Sequence, residues 1–173
     1  LGALGSNIGY LGGVLHILMH SVAKTTLFLV VGSVAYLTGV RSLSALTGRG
    51  RKMPVEATAF FTGALAAAGV PPLACFWSKF YILAGALDLG GTGGIAIVVF
   101  LLLESAVVLG WLVYVGHRIF LLSAPEAAAV PNPGLEGNAV QRPVVMAIVL
   151  VILTALCALI PWLGLRMVQA FPV

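Results

Sequence analysis

Charge is what this sequence has least of. Of its 173 residues, 8% are charged and only five are acids, while 61% are hydrophobic. A soluble domain carries about 25% charged and roughly 45–50% apolar residues. A water-soluble globular domain is therefore excluded, and the usual scaling of domain number with length does not apply. Cysteine is nearly as scarce. Cys75 and Cys157 both lie in apolar runs without a Cys-x-x-Cys partner, which excludes a disulfide framework or a thiolate metal site. No cofactor or metal is expected on this chain. A Ser–His–Asp set and zinc-ligand spacing are missing too, and the glycine-rich runs lack the strand-then-helix setting that a phosphate cradle needs. The nine basic residues cluster mostly in loops, so the net charge of +4 does not point to nucleic acid. No charged n-region precedes an apolar stretch at Leu1, so no signal peptide is read there. The chain reads as a piece of something longer, or as a split polypeptide.

What the sequence does have is long apolar runs, with a mean hydropathy of +1.13. They are continuous rather than alternating, which favours helices over barrel strands. The expected fold is all-α, a polytopic transmembrane helical bundle. Residues 1–13 are glycine-rich and read as a loop. Residues 14–38 are long enough to cross a hydrocarbon core of about 30 Å, with Gly39 as the stop. Residues 39–53 form a basic loop with Arg41, Arg49, Arg51 and Lys52 and no acid, which predicts a cytoplasmic connection. The apolar region 54–89 is too long for one span and short for two, and Pro71-Pro72 divides it. It is read as a helix over 54–70 and a broken one over 71–89. A glycine-rich turn at 90–94, a span at 95–122, an extramembrane loop at 123–142 and a span at 143–165 complete five membrane segments.

The rare ionisable residues inside these runs are the candidate functional groups. His16, His20 and Lys24 follow each other at i, i+4 and i+8, so they line one stripe of a helix. A charge at the centre of a span costs about 2.5–3.5 kcal/mol on insertion scales, and such residues usually mark ion paths. Leaving water disfavours the charged form of an amine, and an unperturbed imidazole titrates near neutral pH. The row reads as a proton path. The plainer reading of His16 is a helix end at the interface. Lys79 lies seven residues past Pro72, where a broken helix beside a lysine can build a mid-membrane ion site. Flanked by Trp77 and Tyr81, it reads equally as an interfacial anchor. Glu104, alone in its span, is placed to pair with Lys79 or Lys24, or with a group on another chain. Ser21, Thr25 and Thr26 could hydrogen-bond water or simply the turn behind them. Glu56, Asp88, Glu126 and Glu136 stand near segment ends or in loops and are expected to be solvated.

Two phrases carry a family resemblance. His-x3-His-x3-Lys followed by Thr-Thr-Leu-Phe-Leu-Val-Val-Gly-Ser-Val (16–34), and Gly69-Val-Pro-Pro-Leu-Ala-Cys-Phe-Trp-Ser-Lys-Phe80, resemble the proton-conducting antiporter-like subunits of respiratory complex I. The same family occurs in Mrp-type antiporters and in membrane-bound energy-converting hydrogenases such as formate hydrogenlyase. The resemblance covers roughly residues 8–120. It implies the later part of the second of two inverted five-helix repeats, including a discontinuous helix. It also implies that Lys24 is the lysine of a central hydrophilic axis, and Lys79 the residue on the discontinuous helix at the exit half of the path. Cys75 stands where the family often has glycine, and Ser21-Val-Ala replaces a commoner Ala-aromatic run. The glutamate and lysine of the first repeat are not in this sequence, so it should not pump alone.

The resulting expectation is proton translocation through Lys24, His20, His16, Lys79 and Glu104, within a redox-driven complex. An Mrp-type Na⁺/H⁺ antiporter subunit and a non-conducting structural subunit are the alternatives. Expected partners are other membrane subunits, a peripheral redox module and lipids. The expected location is a bacterial or archaeal cytoplasmic membrane. The redox chemistry itself would lie on other chains.

Overall fold

The structure, a computed structural model, describes residues 6–123 and the isolated positions 148 and 152. Every regular element among the described residues is helical: α1 (Asn7–Thr38), a short α2 (Leu43–Leu46), α3 (Pro54–Ala68), α4 (Ala74–Asp88) and α5 (Gly91–Gly116). A 3₁₀ turn at Arg49–Lys52 precedes α3, and a π turn at His117–Leu121 extends α5. Asn7–Thr38 and Gly91–Leu121 are long and apolar enough to cross a membrane.

The first helix begins earlier than its glycines suggest. Residues 7–13, read above as part of a loop, are its first two turns. Ser6 caps it, its Oγ accepting from the Gly9 N–H at 2.9 Å. Gly9 and Gly12 sit there because another helix crosses close by. A Cβ on Gly12 would lie 2.7 Å from the Ile82 nitrogen, and one on Gly85 would lie 2.5 Å from Gly9 Cα. Small residues let helix backbones approach in this way where no water is present to drive association. At the other end Gly39, at φ 69°, terminates α1 in the left-handed conformation.

Gly9 meets Gly85, Gly12 meets Ile82, and His16 meets Ser78. Residue numbers fall on α4 as they rise on α1, so the two helices are antiparallel. Gly63 faces Thr26 and Leu27, which lays α3 antiparallel along the second half of α1. On the opposite side α5 passes Ala86 at Gly94, Lys79 at Glu104, and Phe60 and Phe61 at Gly116. Both neighbours run the whole length of α3 plus α4. The region 54–89 is thus one discontinuous traverse, not the two segments expected from its length. The reason is geometric: each half has 15 residues, about 22 Å of helix, too short to span the core alone. The described residues run the length of the bundle three times, with the break midway along it.

The turn expected at 90–94 is shorter than the glycine run. Leu89 and Gly90 link α4 to α5, Gly90 at φ 64°, and α5 already begins at Gly91. The expected loop at 123–142 and span at 143–165 lie outside the described residues, Ser123 and positions 148 and 152 aside. The tightest packing is on the half of the bundle that holds α3, where Val30, Val34, Phe60, Ala64, Ala67 and Ile119 are buried. Much of α5 faces outward, including Ile95, Phe100, Leu103 and Val107, as a surface in contact with acyl chains would. Glu56, expected to be solvated, is buried in the first turn of α3, where the helix N-terminus favours a carboxylate.

Candidate functional site

The site is built around the interruption between α3 and α4. The first half-helix ends in a Schellman arrangement: the Val70 N–H reaches Leu65 O and the Gly69 N–H reaches Ala66 O, both at 3.0 Å. Gly69 takes φ 84°, which a residue with a Cβ adopts only at a cost. Pro71-Pro72, joined by a cis bond, then carries the chain to Leu73 and α4. Ending a helix inside the bundle leaves carbonyls without intrahelical donors. One of them, Ala68 O, accepts from the Lys79 ammonium at 3.3 Å. The cation thus sits at the negative end of the α3 dipole.

Three acceptors surround that ammonium. Besides Ala68 O, it donates to Ser105 Oγ at 2.7 Å and forms an ion pair with Glu104 Oε2 at 3.1 Å. The Lys79 side chain is 11% exposed and that of Glu104 41%, so the lysine is enclosed while the acid keeps an open side. Despite its aromatic flanks, Lys79 does not lie at an end of the described helices. Its ammonium lies at the level of Glu104, halfway along α5, and its stem runs under Gly69, where a Cβ would come within 2.9 Å of Cδ.

The α1 row meets this centre through one serine. His16 Nδ1 lies 2.9 Å from Ser78 Oγ, and Ser78 donates to Cys75 O at 3.1 Å. A hydroxyl has one proton; with it directed at Cys75 O, Ser78 Oγ can accept from His16 Nδ1–H. The His20 ring lies 5.2 Å from that of His16, centroid to centroid, and its Nδ1 is buried with no protein partner. Lys24, one turn on, is exposed on the outer side of α1. The structure therefore brings His16, His20, Lys79 and Glu104 into one neighbourhood and leaves Lys24 at its edge, on the surface of the described helices. Ser21 and Thr26 take the plainer of their two roles, donating to Ile17 O and Val22 O one turn back.

Ser78 and Ser105 were not singled out from the sequence. A signal was there: each stands directly beside an ionisable residue in an otherwise apolar run, as Ser78-Lys79 and Glu104-Ser105. Among the described residues, no group of His, Cys, Asp and Glu has the arrangement of a metal site.

Comparison with known proteins adds the family. The sequence model of the NADH:quinone oxidoreductase/Mrp antiporter transmembrane family matches residues 1–105, which include every group of this site. The chain belongs to that family. Its relatives include the NADH-quinone oxidoreductase subunit N of Desulforudis audaxviator, 33% identical over 87% of this chain and 30% of the relative. Formate hydrogenlyase subunit 3 of Escherichia coli is 31% identical, covering 95% of this chain and 28% of its own length. A putative antiporter subunit of Staphylococcus saprophyticus is 36% identical over 56% of this chain and 20% of its own length. The chain thus spans at most about 30% of the length of these relatives. It is an integral membrane protein of a family whose members are subunits of multi-subunit complexes.

Proposed function

We propose that this chain forms part of a proton-conducting antiporter-like subunit in a redox-driven complex of a bacterial or archaeal cytoplasmic membrane. The path runs from Lys24 past His20 and His16, across Ser78, to Lys79 and Glu104. The observation that carries this reading is the ion pair at the helix break. An ammonium and a carboxylate 3.1 Å apart at mid-depth can exchange one proton: Nζ gives it up, Oε2 takes it, and both groups become neutral. An intramembrane charge that can be cancelled in place is what stepwise conduction requires. The half-helix end at Ala68 supports the cation when the pair is charged. Beyond Lys79, the histidine row supplies groups that both donate and accept, with waters bridging the turns between them.

This chain's residues supply the path, and neighbouring membrane subunits and a peripheral redox module supply the drive. No cofactor is assigned to the chain itself. The similarity to a putative antiporter subunit favours one second reading, Na⁺/H⁺ exchange through the same groups. The test is Lys24→Ala in the intact complex, measured in membrane vesicles. Proton translocation should fall several-fold more than electron transfer. Equal loss of both would mean misassembly and would overturn the assignment. A Na⁺-dependent residue of transport would select the exchanger.

A further inference from the structure

At the opposite end of the bundle from Gly90, the basic 3₁₀ turn docks on the π turn that ends α5. Gly48 N–H donates to Arg118 O at 2.8 Å, and Arg118 Nη2 donates to Thr47 Oγ1 at 3.0 Å. Arg51 Nη1 reaches Ser123 Oγ at 2.8 Å, just past the π turn. A Cβ on Gly50 would lie 2.6 Å from the Phe120 ring, so the two turns are in close contact. This junction gathers Arg49, Arg51, Lys52 and Arg118. None of the four forms an ion pair among the described residues. The acceptors that Arg51 and Arg118 find are neutral hydroxyls, and Nε of Arg49 and of Arg118 is buried without an acceptor. With no partner carboxylate among the described residues, these four cations repel one another and attract an anion.

The depth of the junction says which anion. Arg118 lies over the Tyr114 ring, with its guanidinium carbon 5.9 Å from the centroid, and Nη1 donates to the tyrosine hydroxyl at 3.0 Å. One turn earlier on α5, Trp111 packs beside Tyr114 at 5.9 Å between centroids, and both rings are exposed. Exposed Trp and Tyr at the end of a lipid-facing helix mark the headgroup level. Apolar Val107 and Leu103 continue below them on the outside of α5, where acyl chains would lie. Planar guanidinium groups match phosphate oxygens in charge and geometry. We propose that the junction of the 3₁₀ and π turns is a binding site for the phosphate of an anionic phospholipid, with Arg51, Lys52 and Arg118 as its ligands and α5 as the wall for its chains. Basic pockets between spans are known to hold such headgroups. The inference does not depend on proton conduction.

The test uses the full-length subunit with its native partner chains, delipidated and titrated with phosphatidylglycerol in neutral detergent. Arg51→Gln with Lys52→Gln is the informative variant, because both side chains are exposed and neither packs in the core. Wild type should take up phosphatidylglycerol saturably and prefer it to phosphatidylcholine. Each lost charge should weaken uptake about fivefold, and the double variant about 25-fold. Excess inorganic phosphate should not displace the lipid. Unchanged uptake by the double variant, or equal uptake of phosphatidylcholine, would overturn the proposal. Full displacement by inorganic phosphate would also overturn it, since the site would then hold a free anion. Loss of a peripheral chain from the variant with lipid uptake intact would mark the patch as a protein dock and overturn it as well.

Discussion

Replacing Gly85 by alanine asks whether the crossing of α1 and α4 is what holds His16 in place. The new Cβ would lie 2.5 Å from Gly9 Cα and 2.6 Å from Gly9 N, whereas ordinary contact needs 3.4–4 Å. Ser6 Oγ, the cap of α1, would be equally close at 2.5 Å; the two Gly9 atoms are backbone, so no rotamer clears them and the helices must separate by about 1 Å. His16 and Ser78 lie seven positions from this crossing on their respective helices, about 10 Å along the axis. A rigid displacement of that size stretches the 2.9 Å contact to about 3.9 Å, beyond hydrogen-bonding range. The stability cost is about 1–3 kcal/mol for overpacking, with roughly 1 kcal/mol more for the lost bond. The assay is proton translocation per electron in vesicles carrying the whole complex, for Gly85→Ala and Ser78→Ala, singly and together. Each single change should lower the ratio. Ser78→Ala should then add nothing in the Gly85→Ala background, because the bond it removes is already gone. Gly32→Ala, whose Cβ meets nothing within 4 Å, should behave as wild type. Additive losses in the double variant would refute the reasoning, as would an equal loss in Gly32→Ala.

Two further outcomes follow from the helix break. Glu104→Gln removes a charge whose raw Coulomb attraction for Lys79 is about 5 kcal/mol at an effective dielectric near 20. Ser105 Oγ and Ala68 O still hold the ammonium. The complex should therefore assemble, with electron transfer retained and proton translocation reduced several-fold; wild-type translocation would remove Glu104 from the path. Gly69→Ala forces a Cβ into φ 84° and to within 2.9 Å of Lys79 Cδ. Thermal unfolding should show a loss of about 1–3 kcal/mol, and an unchanged melting temperature would mean that the break does not need its left-handed residue.

The features legible in the sequence were those with a local physical signature. Long apolar runs, the Gly39 stop, the Pro71-Pro72 interruption and the spacing of His16, His20 and Lys24 all declare themselves along the chain. What stayed hidden depends on neighbours. Gly9 and Gly12 look like loop residues until Gly85 and Ile82 are seen against them, because a glycine that breaks a helix and one that admits another helix are the same letter. Residues 54–89 look like two spans because hydropathy cannot tell a hairpin from two half-helices end to end. Only the partners along α1 and α5 decide. Trp77 and Tyr81 suggest an anchor at Lys79, but aromatic rings flank a lysine in the same way at an interface and in a packed interior.

Lys24 and Lys79 each lie in one of the two family phrases and end in opposite situations, and the difference bears on how the site is completed. Lys79 is enclosed by its own chain, with a carboxylate, a hydroxyl and a helix terminus to hold it. Among the described residues Lys24 has no such partner, and it lies exposed at mid-length of α1, level with the break. Facing acyl chains there would cost it about 2.5–3.5 kcal/mol. The outward side of α5 differs in kind, being apolar at the same depth around Leu103 and Val107, and would meet hydrocarbon without penalty. The two exposed faces of the described helices are therefore not equivalent. The α5 face suits lipid, whereas the α1 face at Lys24, with Ser21 and Thr25 beside it, requires water or polar protein. A proton path entering at that face would reach Lys79 through His20, His16 and Ser78 without meeting lipid.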